Sequence, residues 1–292
     1  MGNELDRCDI GIVSYNSYKE LDSCIKSLLQ YESRQIKKII IVENGNIDLI
    51  ALLKKKPYIT KCHIISPNKN LGFAKASNLI IKKSKAPFLC LINPDTRVVA
   101  PFLEKAIKYF RQNLKVGIIG PKILDPNGKV QGSARSFPSL LTAFFGRSTI
   151  LTKLFPNNPI TKKNISINQE NREPIPVDWV SGACMIVRKQ AISDVGLMDE
   201  RFFMYWEDCD WCRRFWQKGW QVIYHPGLGP IVHIVGTSSK QIKLKCHYWF
   251  HKSAIMVYLK YDKSPLRLGS LICLLGGMFR FFLLLPYVII SK

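Results

Sequence analysis

The sequence predicts an α/β fold: a mostly parallel central sheet flanked by helices, followed by a helical C-terminal segment. Three observations predict it. Short, nearly continuous apolar runs recur along residues 1–120, as in strands buried on both faces. Between them lie segments whose apolar residues repeat at three-to-four spacing. The runs end in polar turns that lead into helices, so strand and helix alternate. In such a sheet a ligand sits at the carboxyl ends of the strands.

Residues 9–15 (DIGIVSY) read as the first strand, ended by Asn16 and Ser17. A helix over 18–31 follows, with Leu21, Ile25, Leu28 and Leu29 on one face. A second strand over 39–42 runs into the polar turn 43–46, and 47–56 read as a helix. CHIIS (62–66) is a third strand, and NKNLGFAKASN (68–78) is a glycine-containing turn into a helix. PFLCLINPD (87–95) is a fourth strand with a polar end. Residues 101–113 are a helix with Pro101 at its start, and VGIIG (116–120) is a further strand that completes a first half, 1–120.

The second half, 121–240, changes character. Residues 122–131 read as a hairpin turned at Asp125-Pro-Asn-Gly128. Residues 138–155 are apolar and aromatic with Arg147 and Lys153 interspersed, and 156–176 form a loop rich in Asn, Pro and Lys. VDWVSGACMIVRK (177–189) is strand-like around a Ser-Gly step. WQVIYHP (220–226) is a strand leading to GPIVHIVGTSS (229–239). The third part, 241–292, holds a basic helix over 241–263 and an apolar stretch over 266–290. That stretch is long enough to cross a bilayer, but Arg280 and Pro286 interrupt it. A charge near the centre of a spanning helix costs about 2.5–3.5 kcal/mol. A segment lying in the membrane interface therefore fits better than a span; the competing reading is a helix packed on the domain.

Lysine and arginine number 43 against 21 acidic residues, a formal net charge of +22. That balance calls for an anionic partner: nucleic acid, a membrane surface or a phosphorylated substrate. The basic residues are scattered and no nucleic-acid module is present, which argues against nucleic acid. Nine cysteines at irregular spacing read as free thiols in a reducing compartment. Cys209 and Cys212 have no second pair to complete a zinc site. The N-terminus has no apolar signal core, and Asp6 stands where myristoylation after Gly2 expects Ser or Thr. Synthesis in the cytosol is expected.

The densest chemistry lies in MDERFFMYWEDCDWCRRFWQKG (198–219). Glu207, Asp208 and Asp210 follow an aromatic run and open a helix that Gly219 stops. A carboxylate at a helix start, walled by aromatic rings, suits a general base; the same placement also serves plain dipole pairing. In INPDT (92–96), Asp95 at a strand end offers oxygen to a hard cation, though Asn-Pro-Asp is also ordinary turn chemistry. His233, in the apolar run IVHIVG, is either a core histidine or, with Asp95, half of a mixed site for Mn²⁺ or Mg²⁺. Asn70, Gly72 and Phe73 form a turn that can meet a planar ring, or an ordinary loop. His225, before Pro226, reads as structural. Neither a dinucleotide fingerprint, a P-loop nor a G-x-S-x-G elbow occurs.

The blocks IVSYN (12–16), IIIVENGN (39–46), NKNLGFAKASN (68–78), LINPDTRV (91–98), VSGACMIVRK (180–189), FFMYWEDCDWCRR (202–214) and HIVGTSS (233–239) stand in one order. Together they resemble the family 2 inverting glycosyltransferases of the GT-A fold, and among these the bacterial rhamnosyltransferase-like branch that builds cell-surface polysaccharides. The resemblance implies roles position by position. Asp95 matches the metal-binding aspartate of the DXD-like motif, written here Asn93-Pro94-Asp95, and His233 a metal-ligating histidine of some relatives. Asp208 matches the catalytic base and Glu207 its partner. Tyr15, Asn16, Glu43, Asn70, Gly72, Phe73, Asn78 and Asn93 fall where relatives hold the nucleotide sugar, and Gly182 and Ala183 beside donor sugar and acceptor. Two positions depart from the pattern: Glu43 stands where relatives have Asp, and Ala76 where they have the second Gly of G-F-A-x-G-x-N.

The resemblance makes 1–120 the nucleotide-sugar-binding half and 121–240 the acceptor-binding and catalytic half. It implies a nucleotide-diphosphate sugar donor, with dTDP-rhamnose as best fit, a divalent cation, and a lipid-linked or polysaccharide acceptor at the inner face of the cytoplasmic membrane. Two alternatives are a UDP-sugar donor (GlcNAc, Gal or Glc) on the same fold and a non-catalytic nucleotide-sugar-binding scaffold.

Overall fold

Alternating side chains of the central strands feed two separate cores, one on each sheet face. Ile39 and Ile41 enter one core while Ile40 and Val42 enter the other. Cys90 and Ile92 part from Leu89 and Leu91 in the same way. Each buried Ile, Leu or Phe contributes about 1.5–3 kcal/mol, which is why these runs lack polar residues. The computed structural model describes residues 7–45, 48–139, 173–234 and 243–290. Gly2 and the N-terminus, Asn46, most of 138–155 with Arg147 and Lys153, most of the loop 156–176, and 235–239 lie outside them.

The strands are β1 (Cys8–Ser14), β2 (Ile36–Glu43), β3 (Cys62–Ile65), β4 (Phe88–Ile92), β5 (Thr96–Val98), β6 (Val116–Pro121) and β7 (Ile123–Leu124). They continue as β8 (Ala134–Arg135), β9 (Ile175–Pro176), β10 (Trp179–Val180), β11 (Cys184–Arg188), β12 (Gln221–His225) and β13 (Ile231–His233). The helices are α1 (Tyr18–Glu32), α2 (Asp48–Lys54), α3 (Phe73–Lys83), α4 (Leu103–Gln112), α5 (Lys189–Val195), α6 (Glu207–Gln217), α7 (Lys243–Tyr261) and α8 (Leu268–Ile290).

The main sheet has the order β3-β2-β1-β4-β11-β6-β12-β9. Parallel pairing holds it together except at β11, which runs antiparallel to β4 and β6, and at β9. The sheet is therefore mostly parallel, as expected, and strands from 121–240 are interleaved with those from 1–120. α1 and α4 cover one face; α3, α5 and α6 cover the other. The helix expected from Pro101 begins at Leu103, because the Glu32 carboxylate caps it: Oε1 accepts from Phe102 N at 2.5 Å and Leu103 N at 3.2 Å. The hairpin at 125–128 forms, with Gly128 at φ 80° and Gln131 N donating to Ile123 O at 2.8 Å.

A small sheet, β5-β13-β7, crosses the carboxyl end of the main one. β13 pairs antiparallel with β5 so that His233 faces Thr96, one residue after Asp95. At the C-terminus α7 packs on the domain and α8 packs on α7. α8 is long and apolar enough to cross a membrane. Leu271, Leu275, Phe279 and Phe282 are exposed on it, whereas Arg280 leans over the Phe250 ring of α7 at 5.8 Å.

Candidate active site

A cavity of about 850 Å³ opens at the carboxyl ends of the parallel strands. Tyr15 follows β1, Asn44 follows β2, Asn93 to Asp95 follow β4, and all line it. β11 is antiparallel, so its beginning reaches the same place: Gly182 and Ala183 precede it, and Asn93 N donates to Ala183 O at 2.9 Å. Glu207 and Asp208 open α6 on the opposite wall.

The sequence-derived residues divide cleanly. Tyr15, Asn70, Gly72, Phe73, Asn93, Asp95, Gly182, Ala183, Glu207, Asp208 and His233 all line the cavity. Glu43, Asn78 and Asn16 do not. Glu43 is buried, and its carboxylate is consumed by Ser14 Oγ at 2.7 Å, Gly45 N at 3.0 Å and Asn16 N at 3.4 Å. Its extra methylene serves the loop after β2. Asn78 is buried on α3 and bonds Met198 through both N and O, with Glu200 Oε1 at 3.1 Å. It ties α3 to the chain before α6. Asn16 is exposed at φ 52°, beside Gly45.

Asn44 shapes the turn that carries Asn70. Its Nδ2 donates to Asn70 Oδ1 at 2.9 Å and its Oδ1 accepts from Leu71 N at 2.8 Å. Gly72 then sits at φ 78°, a backbone region costly for other residues, and a Cβ there would lie 2.3 Å from Phe203 O. That close approach lets Phe73 N donate to Phe203 O at 2.7 Å. The start of α3 is thereby joined to the segment entering α6.

This segment is strained. Tyr205 and Trp206 both have φ 67°, each costing about 1–3 kcal/mol for a bulky residue. α7 holds it in place: Ser253 Oγ donates to Met204 O at 2.9 Å, and Phe203 stacks on Trp249 at 4.5 Å. Phe250 packs against Tyr205 and Trp206, each at 5.8 Å. Asp210, fully buried, accepts from Tyr261 Oη at 2.7 Å and pairs with Lys260 and Arg214 at 2.6 and 3.0 Å.

The strain aims two carboxyls differently. Asp208 is partly exposed to the cavity; Oδ2 accepts from Gly182 N at 2.9 Å and Oδ1 from Cys209 N at 2.8 Å. Burial raises its proton affinity, and these bonds and the charge of Arg135 partly offset that. Glu207 is buried behind it, with Oε2 lacking a hydrogen-bond partner. Burial, then the adjacent Asp208 charge, pushes its carboxyl well above the usual range. Both carboxyls hold a proton more tightly than usual, Glu207 the more strongly because the Asp208 charge adds to its burial.

Asp95 and His233 face each other, Oδ1 to Nε2, at 3.2 Å. Gln131 Nε2 donates to His233 O at 2.8 Å, so its Oε1, 3.1 Å from His233 Nδ1, is the acceptor. Nδ1 then carries a proton, and Nε2 is the ring nitrogen that could bind a metal beside the carboxylate. The two atoms are close enough to share one cation. Among the described residues no group of three or more His, Cys, Asp or Glu side chains joins them. One carboxylate and one imidazole would suit an ion of the Mn²⁺ or Mg²⁺ type that draws its other ligands from outside the protein.

Gln131, Arg135, Trp179 and the α7 aromatics Trp249 and Phe250 also line the site or position its residues. No local motif marks them: the β8–β10 pairing, the contact with His233 and the packing of α7 place them there.

The profile of Glycosyl transferase family 2 matches residues 9–196. The chain belongs to this family. The glycosyltransferase is 30% identical over 236 residues, 76% of its own length and 74% of the relative's, to the N-acetylglucosaminyl-diphospho-decaprenol L-rhamnosyltransferase of Mycobacterium tuberculosis. It is 26% identical over 235 residues, 79% of the chain and 70% of the relative, to the dTDP-rhamnosyl transferase RfbF of Shigella flexneri. Among solved structures it resembles the mannosyltransferase of Pyrobaculum calidifontis in complex with GDP-Man and Mn²⁺ (TM-score 0.59, 10% identity, 97% of this chain and 71% of that one). It also resembles GalNAc-T7 with UDP, GalNAc and Mn²⁺ (TM-score 0.59, 14% identity, 78% of this chain, 44% of that one). The shared fold is GT-A, the one expected from the sequence.

Proposed function

We propose that this glycosyltransferase moves rhamnose from dTDP-rhamnose to a lipid-linked acceptor with inversion at the transferred carbon. The observation that carries the reading is Asp208: its carboxylate is fixed by two backbone N–H groups and faces the cavity that also holds the Asp95–His233 pair. The names of the two rhamnosyltransferase relatives support the donor, and that of the Mycobacterium tuberculosis relative supports a diphosphate-linked lipid acceptor.

In this reading the nucleotide lies over Tyr15, the Asn70–Phe73 turn and Asn93, and the donor sugar lies beside Gly182 and Ala183. Asp95 and His233 would hold Mn²⁺ or Mg²⁺, which when bound neutralises charge on the donor diphosphate. Asp208 takes the proton of the acceptor hydroxyl as that oxygen bonds to the anomeric carbon. The bond from that carbon to the diphosphate oxygen breaks with its electron pair, and the nucleoside diphosphate leaves. Glu207, whose proton affinity is raised by burial and by the Asp208 charge, favours the negative charge on the base rather than on itself. The apolar α8 rests on the cytoplasmic face of the membrane, where a lipid acceptor presents its head group.

Thermal unfolding against a panel of nucleotide sugars, with and without Mn²⁺ or Mg²⁺, tests the donor. A ligand at ~100 times its dissociation constant adds about 2.7 kcal/mol. A cation-dependent shift with dTDP-rhamnose alone is expected; a shift confined to a UDP-sugar would replace the donor. Near wild-type turnover by Asp208→Asn with normal donor binding would remove Asp208 from its role.

A further inference from the structure

One strong cation on the cavity wall has no task in the reaction above. Arg135 lies on β8, opposite Trp179 of β10 in the strand register. Its guanidinium carbon is 5.1 Å from the Trp179 ring centroid, and its Nε donates to Gly132 O at 2.8 Å. The side chain is exposed and lines the cavity beside Ser181 and Gly182, close enough that its charge acts on Asp208. A guanidinium stacked on an indole is oriented before a phosphate arrives, so little conformational freedom is lost on binding.

The donor diphosphate has its own seat at the Asp95–His233 pair. Gln131 serves that end of the wall and Arg135 lies further along the same segment. The chain between them can reach about 14 Å at most. Lys245 of α7 lines the same cavity, and next to it stand Trp249 and Phe250, on the helix that carries the apolar α8. Base, cations, aromatic wall and apolar hairpin thus occur together in the chemistry of a sugar, a diphosphate and a lipid chain. We infer that Arg135, stacked on Trp179, binds the diphosphate of the acceptor, and that Lys245 assists it. The inference rests on the glycosyl-transfer reading for its meaning, but the binding itself can be tested without transfer.

The test uses the full chain in detergent with EDTA present, which empties the cation seat. Binding of geranyl diphosphate is followed by tryptophan fluorescence or calorimetry for wild type, Arg135→Gln, Arg135→Lys and Asp95→Asn. Arg135→Gln should weaken binding about tenfold or more, the loss of one charge-assisted contact. Arg135→Lys should recover part of the loss, and Asp95→Asn should leave binding intact. Unchanged binding in Arg135→Gln overturns the inference. So does competition by dTDP with geranyl diphosphate, which would give Arg135 to the donor. In a second arm, transfer to an N-acetylglucosaminyl diphosphate lipid is compared with transfer to the neutral N-acetylglucosaminide of the same chain. Arg135→Gln should raise KM for the first and spare the second; an equal rise for both overturns the inference. Arg135-dependent binding of geranyl diphosphate with no transfer by wild type to any acceptor would instead count against the glycosyl-transfer reading alone.

Discussion

Gln131 grips His233 at both ends of its amide: Nε2 donates to the His233 carbonyl at 2.8 Å, and Oε1 meets Nδ1 at 3.1 Å. The grip decides which ring nitrogen is bare. With Nδ1–H committed to Gln131, Nε2 is the nitrogen left to bind a metal beside Asp95, 3.2 Å away. Partners of this kind set both ligand orientation and basicity. Gln131→Leu should weaken Mn²⁺ binding about 10–100-fold, read by electron paramagnetic resonance of free Mn²⁺ in the presence of dTDP. Gln131→Glu keeps the acceptor and should lose less. Equal affinity in Gln131→Leu and wild type would show that the ring needs no such support.

The pH profile follows from Asp208. A base works only when ionised, and burial raises the carboxyl's proton affinity. Activity should therefore rise with pH through a value above the ordinary aspartate range, and fall as pH drops through it. Asp208→Asn should lose about 10²–10⁴-fold in kcat and abolish that limb. Retention of the limb in the variant would assign it to another group.

Glu207 gives a stability effect of opposite appeal. Its folded-state proton affinity is raised by burial and by the Asp208 charge. A group raised on folding holds its proton more tightly in the native state, so stability is greatest below the unfolded value. It declines as pH rises through the window up to the raised value. Glu207→Gln should remove this dependence and stabilise the protein at neutral pH relative to wild type, with no gain in acid. Parallel chemical denaturation at both pH values checks it; a uniform loss of stability would mean that Oε1 or the buried carboxyl packs in a way that the amide cannot reproduce.

How much of this was legible beforehand depends on the range of the contacts. The runs of β1, β2, β4 and β6 betray themselves because four or more consecutive residues without a polar side chain serve both faces of the sheet. β5, β8, β10 and β13 are two or three residues long, too short to carry any period. β11 reads like its neighbours, since a strand buried on both faces looks the same in either direction. Asp95, Asp208 and His233 were visible as residue types at strand and helix ends. Gln131 was not, because its partner lies 102 positions away. Glu43 and Asn78 show the reverse case: both were expected to meet the nucleotide sugar, yet their polar atoms are taken up by the chain itself.

Asp210 ties α7 to the helix that opens with Glu207 and Asp208. It is fully buried and joins Lys260 and Tyr261 of α7 to Arg214 of α6. Removing one member of a buried charge cluster leaves the others uncompensated, at about 3–5 kcal/mol. Asp210→Ala should therefore lower stability by that order and disturb the strained turn at Tyr205 and Trp206. Ser253→Ala removes only one bond to Met204 O, at about 1 kcal/mol. It should lower kcat while leaving donor binding intact, because the proposed nucleotide seat meets this segment through Phe203 O and not through Met204 O. If Ser253→Ala shifts donor affinity and kcat together, the turn and the nucleotide seat move as one unit.

The exposed face of α8 supplies the last prediction. Leu275 is 60% and Phe279 70% exposed on a 23-residue apolar helix. Burying each such side chain is worth about 1.5–3 kcal/mol, so water is a costly neighbour for this face. Lys263 and Arg267, at the turn between α7 and α8, add attraction to anionic head groups. Leu275→Glu with Phe279→Glu should abolish co-sedimentation with vesicles containing anionic lipid. The pair is remote from the cavity, so the donor-induced rise in unfolding temperature should persist. Vesicle binding that survives both charges would place the membrane contact elsewhere on the chain. Binding that is lost together with the donor response would instead mean that α8 supports the fold through α7, since Phe250 of α7 packs directly on Tyr205 and Trp206.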